Sequence, residues 1–299
     1  MKTYRLKLKP LGPWATPWQA DSLFSALCWQ LVAADGEAPL NELLSQFRKG
    51  NPPFILSDAL PDGWFPCPLS AAVKQLSELK AKRPAWVREA QFQALIKDPG
   101  YLLPQIEPDK PVLESSRLRA SIDRLSGTTS PGGRLFEIAH WSLSNKDSGG
   151  LLSLFLRAGS FLGRTVNLLE RLSLSGFGKK RSSGLGAFTV AGEPAPCPWM
   201  DEMEGANAFV SLSHFVPASD DPTEGRWRLL TKYPKFSPGV PGGHVFKGRL
   251  TMFRPGSVFR VKGELRPFYG RVLSNLFPDF PEAIHYAFAF PVPMRWPEE

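Results

Sequence analysis

The stretch Ser175-Gly-Phe-Gly-Lys-Lys-Arg-Ser-Ser-Gly-Leu-Gly-Ala-Phe188 sets four glycines around three consecutive cations and a pair of serines, with no acidic residue among them. Glycine lets the main chain enter positive φ and approach a ligand closely, so successive N–H groups can converge on a phosphate while Lys179, Lys180 and Arg181 neutralise it. The same composition also fits a solvated connection whose glycines cap a helix and whose charges keep it soluble. Two familiar phosphate loops are excluded. A P-loop ends in Gly-Lys-Ser/Thr, whereas Lys180 follows Gly178-Lys179 here, and a dinucleotide loop runs from strand to helix. This loop runs the other way: Leu162, Val166, Leu169 and Leu172 recur at helical period before it, and Gly186 to Val190 reads as a strand after it.

Working outward, Tyr4, Leu6 and Leu8 alternate with Arg5, Lys7 and Lys9, which predicts a half-buried strand with a basic outer face. Leu23, Phe24, Leu27, Cys28 and Leu31 predict a helix between Thr16-Pro17 and Asp35-Gly36, and Leu40, Leu43, Leu44 and Phe47 a shorter one. In the first helical turn Gln19, Asp21 and Ser22 fit either a cap or a ligand contact at the positive helix end. Ser70 to Lys82 and Pro84 to Lys97 read as two polar helices forming a surface insertion beyond a Pro-rich connection. Leu118, Ala120 and Ile122 alternate with Arg117, Arg119, Ser121 and Asp123. Ser126 to Gly133 is turn chemistry and Leu135 to Leu143 a returning strand, so a long hairpin is expected. Its Arg117 and Arg119 share a face, fitted either to successive phosphates or to edge protection.

Leu151 to Leu156 is nearly all apolar, as a central strand would be. The first 190 residues thus read β-α-β-β-α-β, the ferredoxin-like order, with a helical insertion after the first helix. Gly192-Glu-Pro-Ala-Pro-Cys-Pro198 is expected to break the pattern and to divide the chain into units 1–191 and 192–299. Strands at Ala208 to Phe215, Arg226 to Thr231, Val245 to Phe253, Ser257 to Val261 and His285 to Phe290 predict a second α+β unit, read as a degenerate copy of the first. Its loops mix cations, aromatics and glycine from Lys232 to Lys247 and again from Arg249 to Arg254. That mixture suits single-stranded nucleic acid as well as an ordinary loop over a core.

Whole-chain composition narrows the class. The 299 residues are 42% apolar and 12% aromatic, ample for packed cores, and 36 Lys and Arg against 28 Asp and Glu give +8, which favours an acidic partner. Three scattered cysteines make neither a disulfide framework nor a CxxC pair. No apolar run reaches membrane-spanning length and no secretory signal is visible, so a soluble cytoplasmic protein is expected, without membrane partners. Leu151-Leu152 follows Gly149-Gly150, so the Asp-Asp pair of a polymerase palm is absent there; no His-Asp pair offers a metal site, and no cofactor is implied.

These stretches resemble the RAMP superfamily of CRISPR-associated proteins, marked by a helix-to-strand glycine loop near the end of a ferredoxin-like domain. Within it, Thr16 to Trp29 looks like the first-helix motif of the fourth-subunit family of type III-A Csm complexes. Ile122 to Gly133 looks like that family's thumb hairpin, and Lys247 to Phe259 like its C-terminal glycine-bearing strand pair. The resemblance implies two ferredoxin-like domains in an α+β chain and a non-catalytic subunit that binds the repeat-derived 5′ handle of the guide RNA. It implies further that the subunit caps the complex beside a large polymerase-like signalling subunit and the first backbone subunit, with target RNA nearby through the complex. Carried over residue by residue, the handle grip falls on Gly178, Lys179, Lys180, Arg181, Ser182 and Ser183, and the thumb contacts on Arg117, Arg119 and Arg124. Gln19, Asp21 and Ser22 fall on the first-helix motif, and Lys247, Arg249 and Arg254 join as C-terminal RNA contacts. Two other readings stay open. Some RAMP relatives are metal-independent endoribonucleases, for which His140 or His244 would be the base and Lys179 or Lys247 the electrophile; the other reading is a generic RNA-binding assembly module.

Overall fold

The computed structural model describes residues 1–70, 73–78, 80, 82–98, 100–103, 110–123, 125–129, 135–144, 149–234, 248–276 and 283–296. Strand β1 (Lys2–Pro10) leads through residues 11–19 into α1 (Ala20–Asp35) and α2 (Glu37–Arg48). Short strands β2 (Phe54–Leu56), β3 (Leu60–Pro61) and β4 (Trp64–Pro66) follow, then α3 (Val73–Glu78), β5 (Trp86–Arg88) and α4 (Glu89–Lys97). The long pair β6 (Val112–Ala120) and β7 (Leu135–Leu143) precedes β8 (Leu152–Ala158), α5 (Leu162–Ser175) and β9 (Phe188–Pro196).

The sheet of this half runs β2-β8-β1-β9, each neighbour antiparallel, with β3 also on β8. Every residue of β8 is buried, as its unbroken apolar run requires of a strand covered on both faces. Three sequence expectations change here. First, the second strand of the sheet is Phe54–Leu56, which had read as the approach to a connection, while β6 and β7 form a ribbon outside that sheet. Second, the outer face of β1 is not left to solvent. Arg5 Nη2 lies 2.5 Å from Glu89 Oε1 and its guanidinium 5.3 Å from the Phe155 ring, and Lys7 Nζ is 3.1 Å from Asp62.

Third, the part of the insertion that covers this face, residues 84–97, contributes to the core. Phe65 stacks on Phe92 at 4.6 Å, and Phe92, Leu95 and Ile96 of α4 are buried in the main cluster. The polar residues of residues 84–97 had hidden a three-residue strand followed by a nine-residue amphipathic helix. The stretch Gly192 to Pro196 does not end β9 either. A register shift between Arg5 and Lys7 absorbs it as a bulge, and pairing resumes at Arg5↔Ala195.

Beyond lie β10 (Ala208–Ser211), β11 (Gly225–Arg226), β12 (Leu229–Lys232), β13 (Leu250–Phe253), β14 (Val258–Arg260), β15 (Tyr269–Leu273), β16 (His285–Ala289) and β17 (Pro291–Met294). They form a sheet of order β11-β14-β10-β17 and two ribbons, β12-β13 and β15-β16. Pro291 and Pro293 sit on the edge strand, where a missing N–H costs no ladder bond. No α-helix occurs after Ser175 among the described residues.

One apolar cluster runs from Leu6 to Met294 and joins both halves. Tyr286 stacks on Phe24 of α1 at 4.9 Å, and its hydroxyl accepts the Leu56 N–H at 2.9 Å. Arg157, 3% exposed, donates to the carbonyls of Met200, Pro267 and Pro291 and pairs with Asp201 at 3.2 Å, while Phe290 lies 4.7 Å from its guanidinium. A buried cation with this many acceptors ties the strands of one half to the tail of the other. No helix among the described residues is long and apolar enough to cross a membrane.

Candidate nucleic-acid interface

The glycine loop leaves α5 at Gly176 and is anchored at both stems. Phe177 is buried and stacks on Trp18 at 4.4 Å, and Phe188 meets the same indole edge-on at 5.1 Å. The Phe177 N–H donates to Gly186 O at 2.8 Å, and the Gly186 N–H to Pro13 O at 2.9 Å. Two glycines are demanded by sterics. At Gly186, φ is +79° and an added Cβ would lie 2.0 Å from Phe177 O; at Gly178, φ is +83° and it would lie 2.5 Å from Thr16 Cβ. That close approach lets the Lys179 N–H donate to Thr16 Oγ1 at 2.9 Å.

Between the stems Lys179, Lys180, Arg181, Ser182 and Ser183 are exposed. Lys180 has the left-handed conformation, φ +64° and ψ +26°, and starts a single turn of 3-10 helix over Arg181–Ser183. A left-handed residue followed by right-handed ones turns consecutive N–H groups to one side as an anion-binding nest. The N–H groups of Lys180, Arg181 and Ser182 have no acceptor among the described residues. The three cations are not equivalent. Arg181 reaches back to Ser175 Oγ and Gly176 O, each at 3.4 Å, over the C-terminal end of α5, whereas Lys180 Nζ lies 5.7 Å from the ring of Phe136 on β7.

That last contact brings the predicted hairpin to the loop. In the β6-β7 register Arg117 faces Ile138 and Arg119 faces Phe136, so both arginines share the face that carries Phe136, Ile138 and His140. Ile138 packs in a small buried cluster with Ala15 and with Leu185 of the glycine loop. Trp14 and Trp141 exchange backbone hydrogen bonds of 2.9 and 2.8 Å. The arginine face therefore turns toward the loop, a juxtaposition that the strand spacing alone did not disclose. Arg124 lies outside the described residues.

Residues 13–18 hold loop and hairpin together, and Gln19 and Asp21 extend the same segment to the C-terminal half. Lys232 Nζ donates to Gln19 Oε1 at 2.9 Å and to Asp21 Oδ2 at 2.5 Å, and His285 Nε2 is 3.2 Å from that oxygen. Gln19 Nε2 lies 3.5 Å from His214, whose Nδ1 is 2.6 Å from Asp58; the other Asp58 oxygen accepts the Ala20 N–H at 2.9 Å. Burial pushes the Asp21 pKa up, but His285 and Lys232 outweigh it and hold the carboxyl well below the usual carboxylate range. Asp21 is thus not the helix cap. It is 7% exposed and committed to an internal ion pair, and Gln19 carries no side-chain cap bond. Ser22 is half-buried beside it.

Arg249 and Arg254 are exposed at the two ends of β13, and Lys247 and His244 lie outside the described residues. His140 is buried, with Nδ1 3.3 Å from Ile138 O. Among the described residues no cluster of His, Cys, Asp or Glu could hold a metal. Burial pushes the Cys28 thiol up to about 12. Sequence reasoning missed the anchoring roles of Trp14, Trp18, Asp58, His214 and Lys232. The Trp-Xaa-Xaa-Xaa-Trp spacing before α1 was the available signal; the Asp58 and His214 partners come from remote loops and left none.

No family profile and no curated protein matches this sequence. Solved structures do match in fold. A chain of the Csm1-Csm4 cassette in complex with AMPPNP superposes with a TM-score of 0.64 at 18% identity over 100% of both chains. The same cassette in complex with cA4 gives 0.64 at 18% over 99% of this chain and 100% of that one. A chain of the Csm3-Csm4 subcomplex in the type III-A CRISPR-Cas interference complex gives 0.56 at 14% over 99% and 100%. The subunit common to these assemblies is Csm4, and this chain shares the fold of the matched chains along 99–100% of its length.

Proposed function

We propose that this chain is a Csm4-type, non-catalytic subunit of a type III CRISPR-Cas effector complex, and that it holds the repeat-derived 5′ handle of the crRNA. The observation that carries the proposal is the convergence of three separate stretches on residues 13–22: the glycine loop through Thr16 and Trp18, the hairpin through Trp14 and Ala15, and the β12-β13 ribbon through Gln19 and Asp21. A splayed single strand needs a fixed path with main-chain donors, hydroxyls and cations along it. Lys179, Lys180, Ser182, Ser183 and the N–H groups around them offer that path, with Gly178 giving the close approach and Arg181 joining from the helix end. Arg117 and Arg119 face it from the thumb, and Arg249 and Arg254 extend it over the C-terminal half.

In this reading the chain has two units, 1–191 and 192–299. The antiparallel order β2-β8-β1-β9 supports a ferredoxin-like first unit, and the second is a degenerate copy that has kept strands. The subunit caps the complex beside the large signalling subunit and the first backbone subunit, with target RNA close by, and acts in the cytoplasm. A processing nuclease is disfavoured by the burial of His140, whose ring nitrogen is turned to its own strand. The test is to purify the tagged chain with its genomic neighbours and sequence the attached RNA ends. Guides sharing one repeat-derived 5′ tag, lost with Lys179/Lys180/Arg181→Ala, are expected; assembly without RNA, or repeat cleavage by the isolated chain, would overturn the reading.

A further inference from the structure

A second basic site is built where the insertion meets the C-terminal half, on the turn that joins β13 to β14. The Leu69 N–H donates to Gly256 O at 2.9 Å, and Arg83 Nη1 donates to the neighbouring Pro68 O at 2.8 Å, which brings Arg83 to that turn. From the other side the Arg228 N–H donates to Ser257 Oγ at 3.3 Å, and the Arg254 N–H to Arg228 O at 2.9 Å. Arg226 pairs through its backbone with Val258. Four arginines from three parts of the chain are therefore carried on backbone that meets around one turn. Burial lowers the Arg83 pKa, and repulsion from Arg228 and Arg226 lowers it further, although Cys67 beside it opposes both. Arg226, Arg228 and Arg254 are exposed, and no carboxylate among the described residues pairs with them; Glu224, the acid nearest in sequence, is held by Arg260 and Lys262.

Repelling guanidiniums at a surface are stabilised by an anion, and the adjoining ribbon says of which kind. Trp227 is 47% exposed with its ring 5.4 Å from Phe253, and Leu229, opposite Phe253 in the register, is 48% exposed. On the same face follow Thr231 and Thr251, whose hydroxyls are 3.0 Å apart, and then Tyr233 at 60% exposure. Two open rings with a leucine and two hydroxyls between them form a stacking track for unpaired bases, next to the arginine turn. The ribbon ends at Lys232, on the same Gln19 and Asp21 that adjoin the glycine loop's anchor. We infer that Arg83, Arg226, Arg228 and Trp227 form a second anchor for single-stranded RNA, so that a strand leaving the glycine loop is taken along the β12-β13 ribbon to the arginine turn. This rests on the RNA-binding reading above and adds a site to it.

The full-length chain is titrated by fluorescence anisotropy with a labelled oligouridine of about 20 nucleotides, longer than a single-module footprint, over a range of salt. Arg226→Ala/Arg228→Ala is expected to weaken binding about tenfold and to flatten the log-log salt slope by about 0.7 for each phosphate no longer neutralised. Trp227→Ala should weaken it about fivefold or more with the slope unchanged, because stacking releases no counterions. The Gln versions of both arginine changes, with an unaltered melting temperature, exclude misfolding as the cause. Unchanged affinity and slope in the arginine variant, alongside weakening by Lys179/Lys180/Arg181→Ala, would overturn this anchor and leave the loop standing. Weakening by the arginine variant alone would support the anchor and overturn the loop. Intact RNA binding with loss of a co-purifying subunit would assign the turn to an acidic protein surface and overturn the inference.

Discussion

Gly184 and Gly186 share a φ of +79° but differ in what surrounds them. Nothing lies within 4 Å of a Cβ placed on Gly184, whereas one on Gly186 meets Phe177 O. Gly184→Ala is expected to cost only the left-handed penalty, about 1 kcal/mol. Gly186→Ala should cost more than about 3 kcal/mol, because the Phe177 hydrogen bond and the Trp18 stack must also move. Urea unfolding of the two variants separates these values, and equal losses would mean that the stems are not locked. At Asp21 the sign of the pH effect follows from its depressed pKa. The stability gained from the Lys232 and His285 contacts is complete above the unfolded carboxyl value, about 4, and is lost as pH falls below it toward the lower folded value. Asp21→Asn should therefore lose about 3 kcal/mol near neutrality and show a flatter acid limb than the native chain; parallel limbs would contradict the ion pair.

At the scale of elements, α4 makes the sharpest prediction. Phe92→Ala should cost about 3–5 kcal/mol by chemical denaturation, as for any fully buried aromatic, whereas a surface helix would lose less than about 1. The sequence did not disclose that burial, because Glu89, Gln91, Gln93 and Lys97 are interleaved with an apolar stripe of Phe92, Leu95 and Ile96. Elements with strong periodicity were legible: β1, α1, α2, α5 and β7 lie where alternation or helical spacing put them, and β6 lies several residues earlier than its alternation at residues 117–123 suggested. What was illegible was set by distant partners. Phe54–Leu56 is too short to show a period, β17 carries two prolines that only an edge position tolerates, and the bulge in β9 interrupts its alternation. At the site the loop's cations and the shared face of Arg117 and Arg119 were readable from spacing. The fate of Asp21 was not, since Lys232 and His285 are more than 200 residues away.

Across the whole molecule, the core that runs from Leu6 to Met294 makes the two halves one cooperative body. A single unfolding transition is expected by both fluorescence and far-ultraviolet circular dichroism, and Arg157→Ala should lower its midpoint without splitting it; two resolved transitions would mean independent halves. That rigidity serves the site, because loop, hairpin and ribbon keep their spacing only if the segment at residues 13–22 is held fixed. The most direct measurement of this arrangement replaces Lys180 with a photo-crosslinking amino acid in the assembled complex and sequences the RNA captured on irradiation. Crosslinks confined to the repeat-derived 5′ end of the guide are the predicted result. Crosslinks spread along the spacer, or none above the level of the same probe placed at exposed Leu174, would contradict the claim that the glycine loop holds the guide's 5′ end.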